Sequence, residues 1–216
     1  MPRLALVHTV PALIERFRPL VAQALPDWQS YNVTDESLLQ DTIRDGRPSG
    51  TTVHRLASYV SGAVDAGADA IIVTCSSLGE AADALRPLTQ VPLFRIDRGM
   101  AAAAAAQAQR VGVLATLATT LGPTSRLIRA EAASAGRDCI VVDRLCDGAF
   151  AQLMAGDRVG HDMAVRAAFD DLATQVDLVV LAQASMAGAL ASVGSTAVPV
   201  LTSPELGVSH IAAQLA

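Results

Sequence analysis

The chain repeats itself. Residues 3–9, RLALVHT, and 110–116, RVGVLAT, are short apolar runs that each end in threonine, 107 positions apart. Residues 69–77, DAIIVTCSS, and 177–185, DLVVLAQAS, share an initial aspartate, an apolar stretch and a small polar turn, at an offset of 108. Val91-Pro92 and Val198-Pro199 form a third pair at an offset of 107. Three ordered matches at nearly one spacing point to a duplicated unit. Apolar runs of this length, bounded by turn residues, are the pattern of strands buried on both faces of a parallel sheet.

The intervening segments carry helical spacing. Residues 49–67 place Val53, Leu56, Val60 and Val64 on one face, and residues 125–135 and 162–176 read likewise. Pro123 suits the first turn of the helix leading into Arg126, and Gly136 suits its C-terminal stop. The alanine tract after Met100 predicts a helix with small side chains packed closely on a sheet. Strands followed by helices predict an α/β fold of two similar Rossmann- or flavodoxin-like halves with parallel sheets, related by a pseudo-twofold. The expected halves are residues 1–98 and 99–203, with 204–216 forming a last helix that crosses back onto the first half. Ligands of such sheets bind outside the carboxyl ends of the strands. One active site between the two halves is therefore expected.

Composition removes several classes of function. Aromatic residues make up 3% of the chain and the net charge is -5, so neither base-stacking platforms nor a phosphate-neutralising patch is present, and no nucleic-acid partner is expected. No stretch is long and apolar enough to span a membrane, and the first residues do not read as a signal peptide. Three cysteines without regular spacing predict neither a disulfide framework nor a metal site, and reduced thiols in a cytoplasm are the simplest expectation. All 16 basic residues other than histidine are arginine, so a pyridoxal phosphate bound covalently to lysine is excluded, and no other cofactor is expected. Dinucleotide-binding, phosphate-loop and nucleophile-elbow motifs are absent.

Four strand ends are expected to line the pocket: residues 8–11, 74–77, 116–120 and 182–185. They are rich in hydroxyls and carry no lysine, arginine, aspartate or glutamate. Main-chain N–H groups, helix N-termini and the side chains of Thr9, Ser76, Ser77, Thr116, Thr119, Gln183 and Ser185 could there hold a small anion. Cys75 sits between a buried strand and a helix, where a helix N-terminus can lower a thiol's pKa and make it a base or a nucleophile. A free cysteine is also often no more than a small buried hydrophobe. His8 and Cys146 are further candidates for acid/base work, Cys139 reads as core, and His54, His161 and His210 as surface or helix residues.

At these residues the chain resembles the aspartate/glutamate/hydantoin racemase superfamily. The resemblance runs over nearly the full length and is carried by residues 67–97, GADAIIVTCSSLGEAADALRPLTQVPLFRID; 110–120, RVGVLATLATT; and 176–186, VDLVVLAQASM. It implies a cofactor-independent racemase or isomerase acting at the α-carbon of a small carboxylic acid, amino acid or hydantoin. It also implies assembly as a dimer or larger homo-oligomer. Family racemases use two cysteines, one on each face of the α-carbon. The first maps onto Cys75. The second maps onto position 183, which is glutamine here, and a carboxamide cannot move a proton.

Three catalytic readings follow from that departure. In the first, Cys75 works with a substitute second base, His8 or Cys146. In the second, Cys75 acts alone, as in the superfamily's arylmalonate-type decarboxylases, whose single cysteine lies in the other half. In the third, Cys75 adds to a double bond, as in maleate isomerases. A catalytically degenerate ligand-binding protein is the reading from another functional class.

Overall fold

The computed structural model describes residues 1–190 and 196–215. The chain forms two compact units, Met1–Asp97 with Gly207–Ala216, and Arg98–Leu206. The first contains β1 (Arg3–His8), α1 (Leu13–Ala24), β2 (Gln29–Thr34), α2 (Ser37–Asp45), α3 (Gly50–Asp65), β3 (Ala70–Val73), α4 (Gly79–Leu85) and β4 (Leu93–Arg95). The second contains α5 (Arg98–Gln107), β5 (Arg110–Ala115), α6 (Ala118–Ser134), β6 (Ile140–Leu145), α7 (Ala149–Met154), α8 (Arg158–Ala173), β7 (Leu178–Leu181), α9 (Ala187–Leu190) and β8 (Val200–Thr202). The final helix α10 (Ser203–Leu215) begins in the second unit. From Gly207 on it belongs to the first, where Val208 and Ile211 join the core around Leu4, Leu6 and Phe17. The expected end of that helix at Ala216 lies outside the described residues.

Each unit holds a four-stranded parallel sheet, with orders β2-β1-β3-β4 and β6-β5-β7-β8. The α/β architecture with parallel sheets read from the repeat is the one observed. In both units the strand order reverses beside the first strand, so the switch point of each sheet falls at the carboxyl ends of β1 and β3, and of β5 and β7.

The repeat is built from the same contacts in both units. The main-chain N–H of Arg3 donates to the Asp69 carboxylate at 2.7 Å, and that of Arg110 to Asp177 at 2.8 Å. Each aspartate N–H donates back, to the carbonyl of Arg3 at 2.8 Å and of Arg110 at 2.9 Å. The initial aspartate of each copy therefore fixes where its strand enters the sheet. In the second sheet, alternate residues serve two cores. Val111, Val113, Ala115, Leu178 and Val180 pack with α5 and α6, while Leu114, Val179 and Leu181 pack with α7 and α8. Gly112 lets α8 approach, since a Cβ there would lie 2.8 Å from Leu172 Cδ2.

Two helix expectations are corrected. The helix around Arg126 starts at Ala118, and Pro123 lies inside it; the N–H groups of Thr120 and Leu121 close the first turn on Leu117 O at 3.1 and 3.0 Å, before the proline is reached. The helix expected from Asp162 starts at Arg158, because Asp157 caps it by accepting from Gly160 N at 2.9 Å. The face of α3 also turns: Thr52, Leu56, Val60 and Ala63 are its buried residues, with Ser49 as cap. Gly136 does follow the end of α6 in the left-handed region, at φ 64°.

Candidate functional site

At the carboxyl end of the first sheet, β1 and β3 bring together His8-Thr9 and Thr74-Cys75 as two adjacent rungs. In the first rung, His8 is fully buried and uses both ring nitrogens. Nε2 lies 2.8 Å from Asn32 Oδ1 and Nδ1 lies 2.9 Å from Thr74 Oγ1. Burial pushes its pKa down, against the pull of the Asn32 hydrogen bond, and so favours the neutral ring. A neutral imidazole with its hydrogen on Nε2 donates to Asn32, and its Nδ1 shares the one Thr74 hydroxyl hydrogen with the Val7 carbonyl, 3.1 Å from Thr74 Oγ1.

The second rung is Thr9 and Cys75. After β3 the chain passes through Cys75 in an extended conformation, with φ -102° and ψ 112°, into a single 3-10 turn at Ser76–Leu78 and then α4. The groups that favour the thiolate here are the Thr9 hydroxyl, the Ser77 N–H and hydroxyl, and the Leu78 N–H, which closes the turn on the Cys75 carbonyl at 3.0 Å. Burial nevertheless dominates and pushes the Cys75 thiol up, while those donors pull it back. The expectation that a helix start would lower this pKa is thus outweighed by desolvation. Burial thus favours the protonated thiol, and the donors would favour the thiolate. Ser76 and Ser77 are themselves buried, and the Ser76 carbonyl accepts from Gly79 N–H.

The second unit builds the equivalent turn from other residues. Gln183 follows β7 with φ -128° and ψ 136°, and a 3-10 turn at Ala184–Met186 follows it. Its side-chain Oε1 accepts from Thr116 N–H at 2.6 Å and from the Thr116 hydroxyl at 3.1 Å. The main-chain N–H needs an acceptor, so the carboxamide is oriented with both Nε2 hydrogens left to offer. Thr119 lies half-buried in the first turn of α6 and Ser185 half-buried in the turn after Gln183. Cys146 packs among Leu114, Ala149 and Val165, and burial together with Asp147 pushes its thiol up. Cys139 lies at the margin of the other core of that unit. His161, expected as a surface or helix residue, is a helix residue that is fully buried, with Nδ1 2.7 Å from Asp162 Oδ1.

Three groups near these turns escaped the sequence reading. Asn32 fixes His8 from an edge strand, where an exposed asparagine carries no signal. Asp35, after β2, accepts from Ser37, Tyr59 and Arg55. Burial pushes its carboxyl up, but those hydrogen bonds and the Arg55 charge prevail and hold it below the usual range. Arg95, at the end of β4, is 4% exposed and forks onto Asp97 at 2.7 and 2.9 Å, with Asp83 at 2.8 Å. A charged pair closing an apolar strand, as in Arg95-Ile96-Asp97, was the available signal. Among the described residues no group of three or more His, Cys, Asp or Glu could hold a metal ion, and no helix is long and apolar enough to cross a membrane.

Comparison with known proteins agrees with this architecture. The sequence model of the Asp/Glu/hydantoin racemase family matches residues 7–211. Among solved structures, a glutamate racemase from Bacillus anthracis superposes with a TM-score of 0.76 at 15% identity, covering 99% of this chain and 81% of that one. An aspartate racemase homologue from Pyrococcus horikoshii gives 0.70 at 14% identity, covering 100% and 99%. An allantoin racemase from Pseudomonas fluorescens gives 0.64 at 21%, covering 99% and 90%. No curated relative matches by sequence.

Proposed function

Since this chain belongs to the Asp/Glu/hydantoin racemase family, we propose that it is a cofactor-independent enzyme moving a proton at the α-carbon of a small carboxylic acid, amino acid or hydantoin, with Cys75 as the acid/base. The observation that carries this reading is the Cys75 turn itself. A buried cysteine stands at the switch point of a parallel sheet, at the start of a 3-10 turn; burial favours its thiol, and Thr9 and Ser77 would favour its thiolate. Such a group delivers a proton to a carbanion and is then held as the anion. In reverse, the thiolate takes the α-proton. A positioned acid/base contributes roughly 10²–10⁴-fold. Donors aimed at a developing negative charge contribute of order 3 kcal/mol each. Three free cysteines fit work in a reducing compartment such as the cytoplasm.

The geometry of Gln183 favours a second reading, a single-thiol lyase. Its carboxamide is oriented by Thr116 to donate, and donation to a substrate carboxylate is chemistry a thiol at that position would not perform. In a malonate-type substrate, the bond to the departing carbon dioxide leaves its electron pair on the α-carbon as an enediolate. The Cys75 thiol then protonates that carbon, and solvent restores the thiol. No second base is needed.

Incubation in deuterium oxide with chiral amino acids, hydantoins, 2-substituted carboxylates and malonates, followed by NMR, separates these readings. Deuterium uptake with inversion that falls by about 10²-fold or more in Cys75→Ser is the racemase outcome. Carbon dioxide release with label on one face is the lyase outcome. Tight binding without exchange or release overturns both and leaves a ligand-binding protein.

A further inference from the structure

We infer that Arg95, locked by Asp97 and Asp83, is the positioning residue of the Cys75 turn. This rests on the reading of Cys75 given above, and its test reads the thiol directly. Asp97 is fully buried and takes two N–H groups of the guanidinium, so the fork lies in one fixed plane. That plane is pressed against Gly79, the first residue of α4, where a Cβ would fall on the guanidinium itself. One turn further along the same helix, Asp83 accepts from the remaining arm of the fork at 2.8 Å. The helix is thus held at two points, by stacking at Gly79 and by a charged hydrogen bond at Asp83. Two points fix both its height on the sheet and its rotation about its axis. Because Ser77 and Leu78 lead directly into Gly79, the same clamp fixes the Leu78 N–H that closes the turn on the Cys75 carbonyl at 3.0 Å, and with it the Ser77 N–H that pulls the Cys75 thiol down.

The second unit supplies an internal control. By register, β8 pairs with β7 as β4 pairs with β3, which sets Thr202 where β4 has Arg95. Ala187 begins α9 where Gly79 begins α4. Thr202 donates instead to Glu205 at 2.9 Å. Among the described residues the carboxylate-locked fork accompanies the thiol; at the turn that carries glutamine the helix meets only Arg158, whose Nη2 would lie 3.0 Å from a Cβ at Gly188 and which comes from α8, not from the sheet. A device needed only to pack a helix on a sheet would have no reason to follow the cysteine.

The test is the pH dependence of Cys75 alkylation by iodoacetamide, read by peptide-resolved mass spectrometry on the full chain between about pH 6 and 10. Gly79→Ala and Asp83→Ala should move the Cys75 midpoint up by about one unit, the loss of roughly one well-aligned donor. Arg95→Lys keeps the charge without the planar fork and should move it the same way. Leu172→Ala, in the second unit, should lower thermal stability and leave the midpoint in place. A midpoint that stays put or falls in the clamp variants overturns the inference, as does an equal shift in Leu172→Ala. Asp83 is 31% exposed, so its variant remains informative if the buried ones fail to fold. Failure of the proposed function would appear separately, as absence of α-proton exchange with the Cys75 profile unchanged.

Discussion

The turns after β3 and β7 share a backbone and differ in chemistry. Both leave a buried strand in an extended residue, close a 3-10 turn by donating from the third residue on to that residue's carbonyl, at 3.0 Å for Leu78 to Cys75 and 3.1 Å for Met186 to Gln183, and enter a helix. Both are faced by a threonine from the first strand, Thr9 or Thr116. One threonine donates to a sulfur that can lose its proton; the other donates to a carboxamide oxygen that cannot. What differs is what lies around the turn. The Cys75 turn has a buried imidazole beside it, and the arginine fork stacks under its helix. Around the Gln183 turn, Ala115 stands at the position of His8 and Thr202 at that of Arg95. The duplicated backbone supplies a turn that presents any side chain. The additional polar residues go to the copy whose side chain is an ionisable thiol.

The largest effect that would break this comparison is energetic. Arg95→Met leaves the Asp97 carboxylate, fully buried, without its counter-charge, which should cost about 3–5 kcal/mol. Thr202→Val removes one hydroxyl bond to Glu205 at an exposed site and should cost less than about 1 kcal/mol. Denaturant melts, with hydrogen exchange at β3 and β7 amides to resolve the two units, measure both. Equal losses would mean that the two strand ends carry equal weight and that the clamp is ordinary packing.

How much of this could be read in advance follows from the kind of interaction involved. The strands were legible because buried parallel strands must be continuously apolar, as in Ala70-Ile71-Ile72-Val73. The repeat was legible because the same aspartate performs the same main-chain contact twice. The place of Cys75, between a buried strand and a helical turn, was legible from the apolar run that ends before it. The start of α8 was missed because a side-chain cap at Asp157 overrides the apolar spacing that begins at Asp162. The upward push on the Cys75 thiol was missed for another reason. A strand-helix turn signals donors in one dimension, whereas desolvation depends on what folds over it from β1. The Arg95 clamp joins residues from a helix, a strand and the loop after it, and only the three-dimensional register assembles them.

A smaller effect should appear as a difference in acid sensitivity. His8 is held neutral by burial, so its folded pKa lies below the unfolded value of about 6.5. Below that value the unfolded chain binds the extra proton and the folded one does not. Stability contributed by His8 is therefore complete above about pH 6.5 and is lost as pH falls toward the folded pKa, by up to about 1.4 kcal/mol per pH unit. Replacing His8 with Asn should remove that slope from the first unit, read as the pH dependence of hydrogen exchange in β1. A slope that persists in His8→Asn would assign it to other groups and make the histidine a neutral packing residue like its counterpart Ala115.

The smallest expected difference is also the sharpest test of the duplication itself. Asp69 and Asp177 are exposed at the surface, each accepts one strand N–H, and neither takes part in the chemistry of its turn. Each partner arginine also reaches back to the end of the preceding helix, Arg3 to the Ala66 carbonyl and Arg110 to the Gln175 carbonyl at 3.1 Å. Asp69→Ala and Asp177→Ala should therefore each cost about 1 kcal/mol, the usual worth of one hydrogen bond. They should agree to within about 0.5 kcal/mol, and the double variant should cost their sum, since the two sites share no partners. Asn at either position keeps an acceptor and should recover most of the loss. If one aspartate proves worth much more than the other, the copies have diverged in their scaffold as well as in their side-chain chemistry. The contrast between Cys75 and Gln183 could then no longer be traced to a few polar residues placed on one common frame.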